Sequence, residues 1–271
     1  MQGNKNKRFT RCNRDENAWK VLYQWFATPL GEELLSLEKK HMNQLLSNLF
    51  GYHLLLMGSP HHVDSIRDSR VSRRAIMDIT GENKAVCDGQ FSGHPEMLPV
   101  SADTLDVVVL PHILEFSESP HDVLREVDGS LIAEGHVVIL GFNPLGLWTI
   151  WRWLFGWRKQ LPWCGHFIST TRVKDWLALL GYESIETRYF FHRPPFQHKG
   201  ILGRIVILEK LTAKILPWLG GAYVLVARKK VSTLTPIRPR WRARQKLQAG
   251  LVEPVSRIHG SMKKTSNMDK S

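Results

Sequence analysis

The chain has 271 residues, of which 43% are hydrophobic, and a formal net charge of +12 at pH 7. This length and composition are typical of one α/β domain with additions. No stretch reaches the 18 uncharged apolar residues that a membrane span needs, and the polar, basic N-terminus has no apolar signal core, so we expect a cytoplasmic protein.

The three cysteines (Cys12, Cys87 and Cys164) lie far apart without zinc-type or disulfide spacing. They indicate a reducing compartment and no structural metal. The histidine pair His61-His62 with His94 has no cysteine or carboxylate partner at motif spacing, so we predict no metal site there either.

The N-terminal part begins with residues 1–16, which are polar and charged and are expected to be disordered. Asn17 begins a predicted helix that breaks at Thr28-Pro29, and Gly31–Leu49 forms a second one with Leu34, Leu37, His41 and Leu45 on one face. We expect these helices, within residues 17–50, to pack on the sheet or to cover a ligand cleft.

Two predicted strands follow, each ending in a residue suited to nucleotide binding. Tyr52–Met57 is a buried strand that ends at Gly58, and Arg74–Met77 is a short strand that ends at Asp78. An acidic side chain about 20 residues beyond the first strand's glycine holds ribose hydroxyls in nucleotide-binding α/β units, which predicts this role for Asp78. The alternative is that Asp78 only forms a turn, as aspartate often does at strand ends.

The next unit is a strand, a helix and a strand. Val107–Leu110 is too uniformly apolar for a half-exposed strand and suits a central parallel one. Ser119-Pro120 supplies an N-cap and a first-turn proline, and His136–Leu140 forms a second buried strand. Such a unit is half of an open α/β sheet, in which ligands bind at the carboxyl ends of the strands, here around Pro111-His112 and residues 141–144.

These residues resemble the second half of class I S-adenosylmethionine-dependent methyltransferases of the type 11 kind. The motifs that carry the resemblance are Asp-Val-Val-Val from Asp106, His-Ile-Leu-Glu from His112, Ser119-Pro120 and Leu-Arg-Glu from Leu124. The continuation Gly141–Trp148 is similar to an uncharacterised bacterial branch of that group. The resemblance is specific over Leu98–Trp148 and extends over about Tyr52–Lys230. It implies a Rossmann-like methyltransferase fold, with an open, seven-stranded, mostly parallel sheet and helices on both faces.

The resemblance also implies S-adenosylmethionine as the cofactor and a set of cofactor-binding residues. Gly58 carries over from the family's glycine loop, but the residues after it, 59–62, are Ser-Pro-His-His, and Pro60 offers no N–H group. Asp88 follows a predicted third strand, Lys84–Cys87, where the family has an acid near the adenine amino group. Asp88 has the same turn-forming alternative as Asp78. Pro111 lies where the fourth strand meets the cofactor.

His112 is the candidate catalytic base, because imidazole titrates near neutrality and the site opens at the strand ends. A base is needed only when the methyl acceptor must lose a proton. A histidine at this place could equally be a structural hydrogen-bonding residue. Asn143 lies in a loop that faces substrate in such sheets and could orient an acceptor.

Five tryptophans lie within 16 residues after this loop, interleaved with Arg152, Arg158 and Lys159; they are Trp148, Trp151, Trp153, Trp157 and Trp163. Indole rings beside cations suit the edge of a membrane or a large apolar substrate. We therefore predict a substrate-side element that includes Trp148 and Trp151. The alternative, a helix packing its aromatic face on the core, would explain these two tryptophans but not all five.

The rest of the chain completes the predicted domain, residues 17–230, with substrate-side helices in 142–220. Its predicted elements are a helix at Arg172–Leu180 capped by Thr170-Thr171, a strand at Ile185–Phe191, a helix at Gln197–Leu216 and a last strand at Tyr223–Ala227. In the methyltransferase group a final antiparallel pair completes the sheet.

The charge is concentrated at the C-terminus. Residues 228–271 hold 12 Lys and Arg against two acidic residues, whereas the preceding 227 hold 25 basic and 23 acidic residues. Residues 231–271 are therefore predicted to be a basic, disordered tail. An anionic-lipid-binding or nucleic-acid-binding tail is the functional alternative.

The sequence thus predicts methyl transfer from S-adenosylmethionine to a small-molecule or lipid-like acceptor, apolar or membrane-associated. A peripheral contact with the inner face of the membrane fits this prediction. Two alternatives stay open. One is a catalytically inactive methyltransferase-like binding module, which the missing glycines favour; the other is a nucleic-acid or anionic-surface binder, which the tail favours.

Overall fold

A computed structural model describes residues 17–58, 60–80, 89–149, 165–192 and 216–230. Its centre is a seven-stranded sheet of order β3-β2-β1-β4-β5-β7-β6. The strands are β1 (His53–Met57), β2 (Arg73–Asp78), β3 (Gln90–Ser92), β4 (Leu105–Pro111), β5 (Leu131–Phe142), β6 (Tyr182–Phe190) and β7 (Ala222–Lys229). Strands β1 to β5 pair in parallel, and β7 runs antiparallel to both β5 and β6. The predicted fold class, including the final antiparallel pair, is confirmed.

The described helices are α1 (Asn17–Phe26), α2 (Pro29–Leu46), α3 (Val63–Arg67), α4 (Ile113–Phe116), α5 (Pro120–Ser130) and α6 (Thr170–Leu179), with short 3-10 helices at Pro60–His62 and Pro217–Leu219. Helix α2 begins two residues before the predicted Gly31. Thr28 is its N-cap, since the Thr28 hydroxyl oxygen accepts the Gly31 N–H at 3.2 Å, and Pro29 fits the first turn, where no N–H is needed.

The centre of the sheet is formed by the two strands with unbroken apolar runs. Leu54–Met57 in β1 and Val107–Leu110 in β4 are at most 1% exposed, as expected for strands covered on both faces. From β1 the chain proceeds to β2 and β3 on one side, while β4 and β5 lie on the other. The strand order therefore reverses between β1 and β4, and a crevice at the carboxyl ends of these strands is the expected ligand site.

Several predicted elements have different bounds in the structure or lie outside the described residues. Strand β5 begins at Leu131 instead of His136, because Leu131 pairs with Leu105 before the register shifts. The N-cap of α6 is Ser169, whose hydroxyl oxygen accepts the Arg172 N–H at 3.3 Å. Residues 1–16, the predicted strand Lys84–Cys87, nearly all of the predicted helix Gln197–Leu216 and the tail 231–271 lie outside the described residues.

The chain separates into two compact units, residues 1–232 and 233–271, and every described residue belongs to the first. Within the described ranges, no helix combines the length and the apolar character that crossing a membrane requires.

Candidate active site at the carboxyl edge of the sheet

The carboxyl ends of β1, β2 and β4 bring the predicted site residues Gly58, Asp78 and His112 to one edge of the sheet. Met57 pairs with Met77, and Leu56 pairs with Val109, so these three strands end close together. The sequence therefore placed these residues on the correct edge, beside the point where the strand order reverses.

Gly58 has a backbone conformation that residues other than glycine adopt only with strain. Its φ is +107°, and its N–H donates to the Met77 carbonyl at 2.9 Å. A Cβ added there would lie 2.8 Å from Ile113 Cδ1 and 3.5 Å from the hydroxyl oxygen of Tyr23. Tyr23 thus reaches from α1 to the end of β1.

Asp78 ends β2 and is 5% exposed. Its Oδ1 accepts two hydrogen bonds from Thr80, from the backbone N–H at 2.9 Å and from the hydroxyl at 2.8 Å. Asp78 therefore forms a turn, which was the alternative to its predicted ribose-binding role, and this turn lies at the ligand edge. Burial, and secondly the negative charge of Asp78, raise the pKa of Tyr23, so these two side chains are close enough to interact electrostatically.

Asp88 and the predicted third strand, Lys84–Cys87, lie outside the described residues, so both stay predictions. Strand β3 begins at Gln90, after Asp88, and its carboxyl end is at Ser92. The next residue, Gly93, donates its N–H to the Asp78 carbonyl at 3.1 Å. The residues that follow Ser92 therefore lie at the ligand edge of β3.

Four buried ionisable side chains form a continuous hydrogen-bonded network beside this edge: Glu38, His62, His112 and Glu115. Each is at most 3% exposed. His112 Nε2 lies 2.8 Å from Glu38 Oε1, and His112 Nδ1 lies 2.8 Å from Glu115 Oε2. The second oxygen of Glu38 is 2.8 Å from His62 Nε2, and the second oxygen of Glu115 accepts the Phe142 N–H.

The contacts determine how the network is charged. Burial lowers the pKa of His112, but Glu38 and Glu115 together outweigh it and raise that pKa to about 10. Burial raises the pKa of Glu38, but His112 and His62 outweigh it and lower that pKa to about 2. Burial keeps the pKa of Glu115 above its ordinary value despite His112. The two carboxyl groups differ because Glu38 contacts two imidazoles and Glu115 only one.

An imidazolium that donates both N–H groups has no lone pair with which to accept a proton. The observed geometry therefore disfavours His112 as the base and favours its alternative, structural role. His112 also has a left-handed backbone, with φ of +55°, and its N–H donates to the Leu140 carbonyl at 3.0 Å. Such a backbone is uncommon outside glycine and is concentrated at functional sites.

Sequence reasoning missed Glu38, Glu115 and the role of His62. The predicted apolar face of the second helix included Leu34 and Leu45, which are buried, but it had Leu37 and His41 where the buried face of α2 has Glu38 and Met42. A carboxylate at the centre of an apolar helical stripe was the available signal, since such a group is buried only with a partner.

Pro111, Asn143 and Trp148 are all buried. Asn143 donates from Nδ2 to the carbonyls of Trp218 at 2.7 Å and Gly220 at 2.9 Å, and its Oδ1 accepts the Leu145 N–H at 3.1 Å. These contacts hold the loop before β7, so Asn143 has a structural role in place of the predicted substrate-facing one.

Trp148 is fully buried, and its ring packs against Trp25, Phe142 and Phe191 at centroid distances of 6.1, 6.0 and 4.9 Å. The prediction that it faces substrate is therefore wrong, because the loop after β5 turns this side chain into the core. Trp151 and the three tryptophans after it lie outside the described residues. Within the described part of the chain, no group of three or more His, Cys, Asp or Glu side chains is arranged to hold a metal ion.

Comparison with known proteins identifies the fold. No family model matches the chain. An uncharacterized protein of Escherichia coli K12, YafS, is 29% identical over 211 residues, which are 78% of this chain and 82% of YafS.

Two solved structures match most of the chain. A S-adenosylmethionine-dependent methyltransferase of Thermotoga maritima, titled a possible histamine N-methyltransferase, has a TM-score of 0.59 and 14% identity, over 79% of this chain and 98% of its own. A chain of the complex between the Haloferax volcanii Trm112 methyltransferase activator and the putative methyltransferase has a TM-score of 0.58 and 15% identity, over 82% of this chain and all of its own. At these identities the likeness establishes a shared Rossmann-like methyltransferase fold.

Proposed function

We propose that the protein transfers a methyl group from S-adenosylmethionine to an apolar or lipid-like acceptor. The observation that carries the proposal is the carboxyl edge of β1, β2 and β4, beside the point where the strand order of the sheet reverses. Gly58, Asp78 and the buried hydroxyl of Tyr23 converge there, and this hydroxyl has no hydrogen-bond partner among the described residues. Buried polar groups in native structures are nearly always paired, so an unpaired one at a ligand edge indicates a ligand.

The nucleoside half of S-adenosylmethionine fits the residues present. Asp78 would hold the ribose hydroxyls, and Gly58 leaves the end of β1 without a side chain. The chain lacks the glycine loop that the resemblance would lead one to expect, and one of the bulky residues in its place is packed inside the fold. His62, which adds bulk after Gly58, is fully buried and hydrogen-bonded to Glu38.

When bound, the cofactor supplies an electrophilic methyl group on a sulfonium ion. The chain's own contribution is to position the acceptor and to exclude water, effects that can together be worth about 7–11 kcal/mol. Because both ring nitrogens of His112 donate, proton removal by His112 would require one carboxylate contact to break. The proposal therefore favours an acceptor atom that need not lose a proton before it takes the methyl group.

The apolar character of the acceptor is proposed from the tryptophans and cations of residues 151–163, since indole rings beside cations suit an apolar or lipid-like partner. A peripheral membrane contact through the tryptophan-rich segment after Trp148 belongs to the same proposal.

Calorimetric titration with S-adenosylmethionine tests the proposal, and Asp78→Asn sharpens the test. The amide oxygen can still accept from Thr80, so the turn should persist. Loss of the charged contact, worth about 1.5–3 kcal/mol, should weaken binding by at least about tenfold. The matched control is Asp103→Asn, at an exposed position before β4, with a φ of +50° that asparagine tolerates.

A folded wild-type chain that does not bind millimolar cofactor would refute the enzyme and leave the inactive binding module. Equal weakening by both substitutions would refute the role of Asp78.

A further inference from the structure

The hydroxyl of Tyr23 is a polar group that the fold itself does not use. It is buried, and none of the described residues contributes a hydrogen-bond partner to it. The ring is fixed on α1 and makes an edge contact with His61, with centroids 6.2 Å apart. An unpaired buried hydroxyl destabilises a protein, so its presence at this position calls for a function.

The location of this hydroxyl is specific. Its oxygen lies 3.5 Å from the place that a side chain on Gly58 would take, at the end of β1. The charge of Asp78, at the end of β2, acts on the same hydroxyl. The ends of β1 and β2 and helix α1 therefore meet at one point of the carboxyl edge, where the Asp78 carboxylate lies near the Tyr23 phenol.

We infer that the Tyr23 hydroxyl donates a hydrogen bond to the nucleoside part of the cofactor beside Asp78, and that this bond ties helix α1 to the bound ligand. The inference rests on the proposed function and adds a binding residue from outside the strand ends. The two groups are chemically complementary. A carboxylate only accepts and a phenol donates, so together they can bind a vicinal diol, whose hydroxyls both donate and accept.

The phenol is available as a donor throughout the neutral range. Burial and, secondly, the negative charge of Asp78 raise the pKa of Tyr23 above its ordinary value, so the hydroxyl keeps its proton. This effect supports the geometry, since an ionised tyrosine beside Asp78 would repel it.

Tyr23→Phe removes only the hydroxyl and is the direct test. Calorimetric titration of the full chain with S-adenosylmethionine, and separately with adenosine, should give dissociation constants about five- to twentyfold higher than for wild type. The melting temperature without ligand should not fall, because the substitution removes an unpaired buried group. The melting-temperature increase caused by the cofactor should be smaller in the variant.

Tyr182→Phe is the matched control. Tyr182 begins β6 at the opposite edge of the sheet, and its buried hydroxyl interacts with the Asp128 carboxylate and not with a residue of the ligand edge. This substitution should leave both dissociation constants unchanged.

The outcomes separate this inference from the proposed function. A folded wild-type chain that binds neither ligand overturns the proposed function and, with it, the inference. Wild-type binding that Tyr23→Phe leaves unchanged overturns the inference alone. An unchanged affinity together with a lower melting temperature would assign Tyr23 a packing role and would likewise overturn the inference.

Discussion

Replacing Glu38 by glutamine tests the buried network with almost no change of side-chain volume. The substitution removes the negative charge that His62 and His112 both contact, and it places an amide donor against one of two imidazole N–H groups. Removing one partner of a buried ion pair typically costs about 3–5 kcal/mol. We expect the free energy of unfolding near pH 6 to fall by this amount.

The pH dependence gives the prediction a second, independent readout. The pKa of His112 is raised from its ordinary 6.5 to about 10, so its stabilisation is complete below about pH 6.5 and is lost as the pH rises through about 10. The pKa of Glu38 is lowered from 4.5 to about 2, so its stabilisation is present above pH 4.5 and is lost as the pH falls through about 2. The raised pKa of Glu115 makes its ionisation cost stability as the pH rises above 4.5.

The wild-type chain should therefore lose stability between about pH 6.5 and 10. The His112 contribution is at most about 5 kcal/mol, since one pKa unit corresponds to about 1.4 kcal/mol. In Glu38→Gln the pKa of His112 should fall toward its ordinary value, so the decline should be smaller and should end at a lower pH.

Urea unfolding followed by tryptophan fluorescence, at about pH 5.5, 7.5 and 9.5, measures both effects. Glu32→Gln is the control, because Glu32 is exposed in the first turn of α2 and its loss should cost less than about 1 kcal/mol. An unfolding free energy of Glu38→Gln within about 1 kcal/mol of wild type near pH 6, or an unchanged alkaline decline, would refute this description of the network.

Two further predictions concern the core and the tail. Trp148→Ala should lower the free energy of unfolding, measured in urea, by about 3–5 kcal/mol, because it empties a fully buried site. Trp218→Ala is the control and should cost far less, because the Trp218 side chain is half-exposed. Equal losses would contradict the assignment of Trp148 to the core. A chain that ends at Lys230, just after β7, should keep the melting temperature of the full chain, because residues 231–271 contain too few apolar residues to join the core. A large decrease in melting temperature would show instead that the tail docks on the domain.

The sheet could be predicted from sequence because each central strand carries its own signal. The apolar runs in β1 and β4 have no polar residue to expose, and the residues that follow them mark one edge. Gly58, Asp78 and His112 could thus be assigned to this edge from strand order alone.

The network could not be predicted in this way, because its partners are distant in sequence. Glu38 contacts His62, 24 residues away, and His112, 74 residues away. Helical periodicity treats a glutamate as a solvent-facing residue, and only the tertiary fold supplies the imidazoles that make its burial favourable. The prediction for Trp148 was wrong for a related reason. Its position after β5 indicates the ligand edge, but the direction of the side chain depends on packing against Trp25 and Phe191.

The unusual sequence after Gly58 and the buried network have a common structural basis. The residues that replace a glycine loop begin a short 3-10 helix at Pro60, where a missing N–H is tolerated, and this turn carries His62 to Glu38 on α2. The segment that would otherwise offer backbone N–H groups to a ligand is thus used to join the N-terminal helices to the sheet. Under the proposed function, cofactor recognition at this edge then depends on side chains, with Asp78 from the sheet and Tyr23 from α1, and the network holds the N-terminal helices against the sheet edge where these side chains meet.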